Sequence, residues 1–346
     1  MSLKRKILAI VLSLLLVAGG SSAVYAYGII STVSGDTLDE STLSINDLLS
    51  EDTVNIALFG IDGRDDVEGD RSDTIMIASI NFKTGEIKIT SIMRDLMVQI
   101  PAGTNNDVTY EKINAAYQYG GAQQAVQTLN ENFDLNITDY IVVNFDCLVD
   151  TVDALGGVDI NVQNDDVLYW TNQYIMDVND KTHHADPFLE TTGANHMTGV
   201  QALAYCRNRY SDDDYGRTER QREVVQQIFN KATSADLLTT VNVIGRIYPY
   251  ISTSLSLQEM STYAKGYMAL ENKSFVSKRV PFDEYNTTGD INGVSYVIPV
   301  TLRDNTIALH KLIYGDDVSY TPSDKVNQIS NRITQLSGYG SGSSSG

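Results

Sequence analysis

Asp62 and Asp73 lie at the two ends of an acidic loop, IDGRDDVEGDRSD, which leaves one apolar run and enters the next; Arg94 leaves a third such run. Two carboxylates at one edge of a sheet can hold Mg²⁺, a cation that keeps several waters and shares its remaining positions with substrate phosphates. An arginine at the same edge adds phosphate donors, and phosphoryl transfer rests mainly on positioning and charge stabilisation of this kind. The plainer reading is that Asp62 caps a turn and Asp73 pairs with Arg71 or Lys112.

A second group of cations follows later in the chain. In QALAYCRNRY, an extended backbone from Ala204 onward puts Tyr205, Arg207 and Arg209 on one face. Residues 217–231, RTERQREVVQQIFNK, have helical periodicity. Val224, Val225, Ile228 and Phe229 mark the inward stripe, Arg217 and Gln221 fall within it, and Glu219 and Glu223 point away. A cation on an inward face needs a partner. Arg217 and Arg220, read as first-turn residues, would oppose the helix dipole unless a bound anion shares the site. The alternative is that Asp212, Asp213 and Asp214 neutralise these arginines in a surface network.

These residues need a scaffold, and the pattern around them supplies one. Residues 54–60 (VNIALFG), 74–82 (TIMIASINF) and 87–93 are apolar runs of strand length, the last two joined by the turn Lys83-Thr84-Gly85-Glu86. As an antiparallel meander they bring Asp62, Asp73 and Arg94 to one sheet edge. A helical pattern over 113–133, interrupted at Gly120-Gly121, precedes a strand at 140–145. A helix at 148–155 closed by Gly156-Gly157 and a strand at 158–162 come next. This alternation predicts an α/β fold.

The composition narrows the function. A net charge of −19 repels polyphosphate and argues against nucleic acid as a partner, so any anion site must be local and built from particular cations. His183, His184 and His196 have no acidic partner at ligand spacing, and no P-loop, G-x-S-x-G or H-E-x-x-H motif occurs. Cys147 and Cys206 match no zinc or redox spacing; buried free thiols or, in an exported domain, a disulfide between two sheet positions both fit. Most of the 20 tyrosines are expected in packing, with some available to line a sugar-binding face.

At the start of the chain Lys4, Arg5 and Lys6 precede a largely apolar stretch, residues 7–30, long enough to cross a bilayer. The positive-inside rule then leaves residues 1–6 in the cytoplasm and exports the rest. Ala23 and Ala26 keep a cleaved secretory signal open as the rival reading, and both readings export the domain. Residues 31–50 read as a polar linker, 51–320 as the folded domain, and 321–346, ending GYGSGSSSG, as a flexible tail.

Five blocks in order, FGIDGRDDVEGDRSDTIMIASI, ITSIMRDLMVQIP, EKINAAYQYGG, VDALGGVDINV and TGVQALAYCRNRYSDDDYGRTERQREVV, resemble the signature blocks of LytR-CpsA-Psr proteins. The resemblance implies a mixed central sheet with helices on both faces and an apolar channel for a lipid tail. It also implies transfer of a glycopolymer, such as wall teichoic acid or capsule, from a polyprenyl-pyrophosphate carrier to peptidoglycan. On this resemblance Asp62 and Asp73 are the Mg²⁺ ligands and, together with Arg94 and Arg217, the catalytic residues. Arg64, Arg94, Lys112, Arg207, Arg209, Arg217 and Gln221 bind pyrophosphate. Met93 departs from the family pattern, which has proline before the arginine. Two other readings remain open: a hydrolase of the same pyrophosphate, and an exported lipid-binding regulator without turnover.

Overall fold

A computed structural model describes residues 36–50, 52–61, 71–102, 108–235, 237–247, 250–256, 259, 274–316 and 318–340. The expected membrane segment 7–30, with Asp62 and Arg64, lies outside them. The chain divides into two compact units; among the described residues the first holds 36–142 and 274–340, the second 143–259. No helix of the described residues is long and apolar enough to cross a membrane.

In the first unit the meander forms as read: β1 (Thr53–Gly60), β2 (Thr74–Asn81) and β3 (Glu86–Ile92) pair antiparallel, with Gly60 opposite Thr74 and Ile75 opposite Ile92. Six consecutive residues of β2, Ile75–Ile80 in sequence, are buried, so both of its faces are covered. That is why its sequence runs continuously apolar instead of alternating. The hairpin β4 (Met97–Ile100) and β5 (Thr109–Lys112) follows, then helix α1 (Ala115–Phe133) and strand β6 (Asp139–Val143). The Gly120-Gly121 break is real: Gly121 has φ 59° and ψ −150°, a backbone state that side-chain-bearing residues rarely reach.

The second unit begins with α2 (Phe145–Ala154), β7 (Val158–Val162) and α3 (Asp165–Thr182), followed by β8 (Gly193–Met197), which pairs antiparallel with β7. Next come α4 (Gly199–Arg207), α5 (Asp214–Ser234), α6 (Leu237–Ile247) and β9 (Ile251–Thr253). Val149, Val152, Ile160, Ile175, Leu203 and Val224 share one apolar core here. At the start of α4 the two helices nearly touch: a Cβ on Gly199 would lie 2.2 Å from the Val149 carbonyl oxygen, so only glycine fits.

The extended reading of the segment from Ala204 is corrected. Gln201–Arg207 in sequence belongs to α4, whose N-terminus is closed by a reciprocal capping box between Thr198 and Gln201. Alternation therefore does not place Tyr205, Arg207 and Arg209 together. The sheet positions expected for the cysteines are corrected too: Cys147 lies on α2 and Cys206 on α4, both free, with burial pushing each thiol up to about 12. These thiols are inert by environment.

The chain then returns to the first unit. Strand β10 (Ser274–Val280) lies parallel to β3, so the sheet is mixed, in the order β10-β3-β2-β1-β6. The hairpin β11 (Asn286–Ile291) and β12 (Val294–Pro299) and helices α7 (Leu302–Tyr314) and α8 (Asp324–Ser337) complete it.

Both domain limits read from composition move outward. The folded unit does not stop at 320, because α8 buries Val326, Ile329 and Ile333. The Asp134 carboxylate fastens its approach, accepting from Tyr320 Oη at 2.5 Å, Ser323 N at 2.7 Å and Ser323 Oγ at 2.6 Å. Nor does a linker fill 31–50: Leu43 is fully buried, and its carbonyl accepts from Asn130 Nδ2 at 2.9 Å.

Candidate functional site

In the first unit the sheet edge does bring predicted residues together. Asp73 stands just before β2 and its N–H donates to the Gly60 carbonyl, while Arg94 follows β3 by two residues; the meander makes them neighbours. Arg94 Nη1 donates to Asp73 Oδ1 at 2.5 Å, and Arg94 Nε lies 3.8 Å from Asp95 Oδ2. Lys112, at the end of β5, places Nζ 3.1 Å from Asp95 Oδ1 and 5.9 Å from the Tyr296 ring centroid. Arg94 is held from behind as well, since its carbonyl accepts from Asn114 N at 3.2 Å.

The result is a chain of alternating charge, Asp73, Arg94, Asp95, Lys112. Each cation is held by a carboxylate, yet Asp73 keeps 34% of its side chain exposed, and only its Oδ1 is engaged among the described residues. The plainer pairing of Asp73 with Arg71 or Lys112 does not form: Arg71 pairs with Glu111 at 3.2 Å, and Lys112 with Asp95. Asp95 was missed in the sequence although it directly follows Arg94. Met93, the departure from the family pattern, is fully buried and its N–H donates to the Val280 carbonyl, so the backbone before Arg94 is fixed by strand contact.

In the second unit the arginines divide by burial. Helix α5 begins at Asp214, three residues before Arg217, and Asp213 caps it by accepting from Tyr215 N and Gly216 N. The expected opposition between first-turn arginines and the helix dipole is therefore relieved by carboxylates at the helix start. Arg217 is inward as predicted, 3% exposed, and Nη2 pairs with Asp214 Oδ1 at 2.7 Å, one turn back. Glu223 does not point away; it accepts from the Tyr205 hydroxyl at 2.9 Å.

Arg220, not singled out as a ligand residue in the sequence, is the most committed cation. It is 2% exposed, forks onto Asp212 at 2.6 and 2.8 Å, and donates to the Tyr205 carbonyl at 3.2 Å and the Asn208 carbonyl at 2.5 Å. Gln221 Nε2 donates to the Cys206 carbonyl at 3.4 Å. The last carbonyls of a helix have no partner within it, and here α5 supplies partners for those of α4. Arg220 and Gln221 thus fix the end of α4 from which Arg207 projects, a positioning role for Gln221 alongside the predicted phosphate contact.

Arg207 is held by Asp177 Oδ2 at 2.7 Å and lies over the rings of Phe145, at 4.7 Å, and Tyr174, at 5.7 Å. Burial pulls the Asp177 carboxyl upward, but hydrogen bonds from Lys181 and Arg207 outweigh it and hold the group below the usual range. Arg209 is exposed and makes no ion pair among the described residues. Among those residues no cluster of three His, Cys, Asp or Glu side chains could hold a metal; His196 instead bonds Asp159 Oδ1 at 2.7 Å and the Gly156 carbonyl at 2.8 Å.

Residues 25–309 match the LytR_cpsA_psr family. The polyisoprenyl-teichoic acid–peptidoglycan teichoic acid transferase TagU of Bacillus cereus (strain AH820) is 34% identical over 305 residues, which span 84% of this chain and 92% of that protein. The TagU of Enterococcus faecalis (strain ATCC 700802 / V583) is 30% identical over 308 residues, spanning 86% and 93%. Among solved structures, the LytR-CPS2A-psr family protein YwtF (TagT) with bound octaprenyl pyrophosphate lipid superposes with a TM-score of 0.56 at 22% identity, covering 88% of this chain and 97% of that one. With the family match spanning most of the sequence and the mixed sheet shared with its solved members, the chain belongs to the LytR-CpsA-Psr family.

Proposed function

We propose that this chain transfers a phosphate-linked glycopolymer from a polyprenyl-pyrophosphate carrier to a peptidoglycan hydroxyl. The observation that carries this reading is the Asp73–Arg94–Asp95–Lys112 chain at one sheet edge, in a protein whose relatives include TagU transferases matched over 84% and 86% of its length. In the reaction the hydroxyl oxygen attacks the phosphorus bearing the glycopolymer. The P–O bond to the bridging oxygen breaks, polyprenyl phosphate leaves, and the hydroxyl proton is released as the new phosphodiester forms.

Negative charge builds on the phosphoryl and leaving oxygens during that step, so preorganised cations lower its barrier. Arg94 has a forked head for this, held in place by Asp73 and Asp95, and Lys112 adds a point charge beside it. From the second unit Arg207, Arg209 and Arg217, with Arg64 outside the described residues, are proposed as further phosphate donors. Arg209 needs no rearrangement to serve, whereas Arg217 must share its guanidinium with Asp214.

The second carboxylate oxygen of Asp73, unengaged among the described residues, suits a hard cation, and with Asp62 it forms the oxygen donor set we propose for Mg²⁺. When bound, Mg²⁺ would neutralise phosphate charge that the arginines do not reach. Asp73→Ala is expected to abolish Mg²⁺-dependent turnover while lipid binding persists. Residues 7–30 are proposed as the anchor that keeps the catalytic units at the outer membrane face, where both substrates reside.

The test is a radiolabelled lipid-linked donor incubated with the protein and peptidoglycan. The proposal expects label covalently joined to the wall. Label that becomes soluble with no wall product overturns it in favour of the hydrolase, and label that stays on the lipid overturns it in favour of a binding protein.

A further inference from the structure

Four rings in the second unit form one surface. Trp170 and Tyr174 lie one turn apart on α3, and Tyr210, in the loop after α4, stacks on Tyr174 with centroids 6.2 Å apart and packs tilted against Trp170 at 4.8 Å. Tyr169 meets Trp170 edge-on at 5.2 Å. Tyr210 is 69% exposed and Tyr169 57%. Since one face of Tyr210 is covered by its neighbours, that exposure belongs to its other face and its hydroxyl edge.

This surface is joined to the proposed phosphate donors by direct contact. The Arg207 guanidinium lies over the Tyr174 ring, Asp177 holds it from one turn further along the same stripe of α3, and Arg209 precedes Tyr210. The opposite rim is acidic: the exposed Asp165 and Asp166 stand four residues before Tyr169 and Trp170 on α3. A large exposed aromatic patch rimmed by polar residues marks a binding surface. Carboxylates on the rim disfavour a polyanionic occupant. An uncharged pyranose presents a face of C–H bonds to the electron-rich ring faces and hydroxyls to the rim.

We propose that Tyr169, Trp170, Tyr174 and Tyr210 form a stacking platform for the uncharged glycan strand of the acceptor, sugars of the N-acetylated amino-sugar class. The proposal rests on the transferase reading, because it gives the acceptor hydroxyl a fixed approach to Arg207 and Arg209. Within that reading it assigns the donor and the acceptor to chemically different surfaces, cationic and aromatic.

Trp170 is the only tryptophan in the chain, so its emission reports on the platform alone. The probe is tetra-N-acetylchitotetraose, titrated into the full-length protein in detergent, with calorimetry alongside. We expect a saturable change in Trp170 emission, a Kd at least tenfold weaker in Tyr210→Ala, and a Kd within twofold of wild type in Tyr210→Phe, which keeps the ring. A polyglycerol phosphate chain is expected not to displace the sugar.

Calorimetric binding that is absent, or identical in Tyr210→Ala and wild type, overturns the platform; displacement by the polyanion overturns its assignment to the acceptor. The transfer assay separates this from the reading beneath it. Wild-type transfer without any chitotetraose binding defeats the platform and leaves the transferase standing. Binding lost in Tyr210→Ala without any wild-type transfer defeats the transferase and leaves the platform. If both stand, Tyr210→Ala raises KM for the glycan acceptor and leaves donor binding unchanged.

Discussion

The two units hold their cations in opposite ways. In the first, Arg94 and Lys112 share Asp95, and the series ends at Asp73, a carboxylate with one oxygen unengaged among the described residues. In the second, Arg207, Arg217 and Arg220 each pair with a different carboxylate while Arg209 makes no ion pair among the described residues, and burial increases from Arg209 through Arg207 to Arg217 and Arg220. The difference teaches that an arginine's donors decide its role. A guanidinium with every edge bonded to its own protein builds the site, and one with an edge left open can bind a ligand.

The largest effect expected from this contrast is on stability. Arg220→Ala leaves the buried Tyr205 and Asn208 carbonyls without their donor, at about 1–3 kcal/mol each, and removes the partner of the solvent-facing Asp212, so the fold should lose about 3–5 kcal/mol. Urea unfolding checks this. A loss below about 1 kcal/mol would place Arg220 with the exposed arginines and remove the distinction.

A second expectation concerns how the tail is fastened to the first unit. Burial lowers His310 to about 4, and its Nε2–H donates to the Phe133 carbonyl at 2.8 Å while its ring stacks on Tyr320 at 3.5 Å. With the folded value below the ordinary 6.5, the unfolded chain binds the proton first as pH falls. The stabilisation is complete above about 6.5 and is lost between there and about 4, by an amount on the order of 3 kcal/mol. His310→Gln should flatten that part of the stability–pH curve relative to wild type. Parallel curves would show that the ring titrates normally.

The smallest stability effect belongs to Arg209→Ala, which should leave the melting temperature within about 2 °C. Its donor affinity should nonetheless fall by about 1.5–3 kcal/mol, the range for a charge-assisted hydrogen bond. Unchanged donor affinity would mean that an open guanidinium is not sufficient for a role in binding.

The first unit was the more legible in sequence for a physical reason. Strands buried on both faces must be continuously apolar, so β1 to β3 and the charges at their ends stand out, and Asp73 and Arg94 fall together once the meander is drawn. Helix α4 was misread because its short QALAYCR stretch suits either period. The deciding signal was three residues earlier, in the Thr198–Gln201 capping box. Helix α8 carried a readable 3-and-4 spacing at Val326, Ile329 and Ile333, obscured by the glycine and serine run that follows it. Leu43 and the pairing of each arginine with its aspartate depend on tertiary contacts that have no local pattern.

The reading of Arg94 as the catalytic cation is tested most directly by Arg94→Lys. The ammonium keeps the charge between Asp73 and Asp95 and so should keep the fold, but it lacks the fork that spans two phosphoryl oxygens. Transfer of labelled glycopolymer to peptidoglycan at saturating donor should fall by about 100-fold or more with the melting temperature nearly unchanged. A rate within about threefold of wild type, from a variant that melts like wild type, would contradict the account.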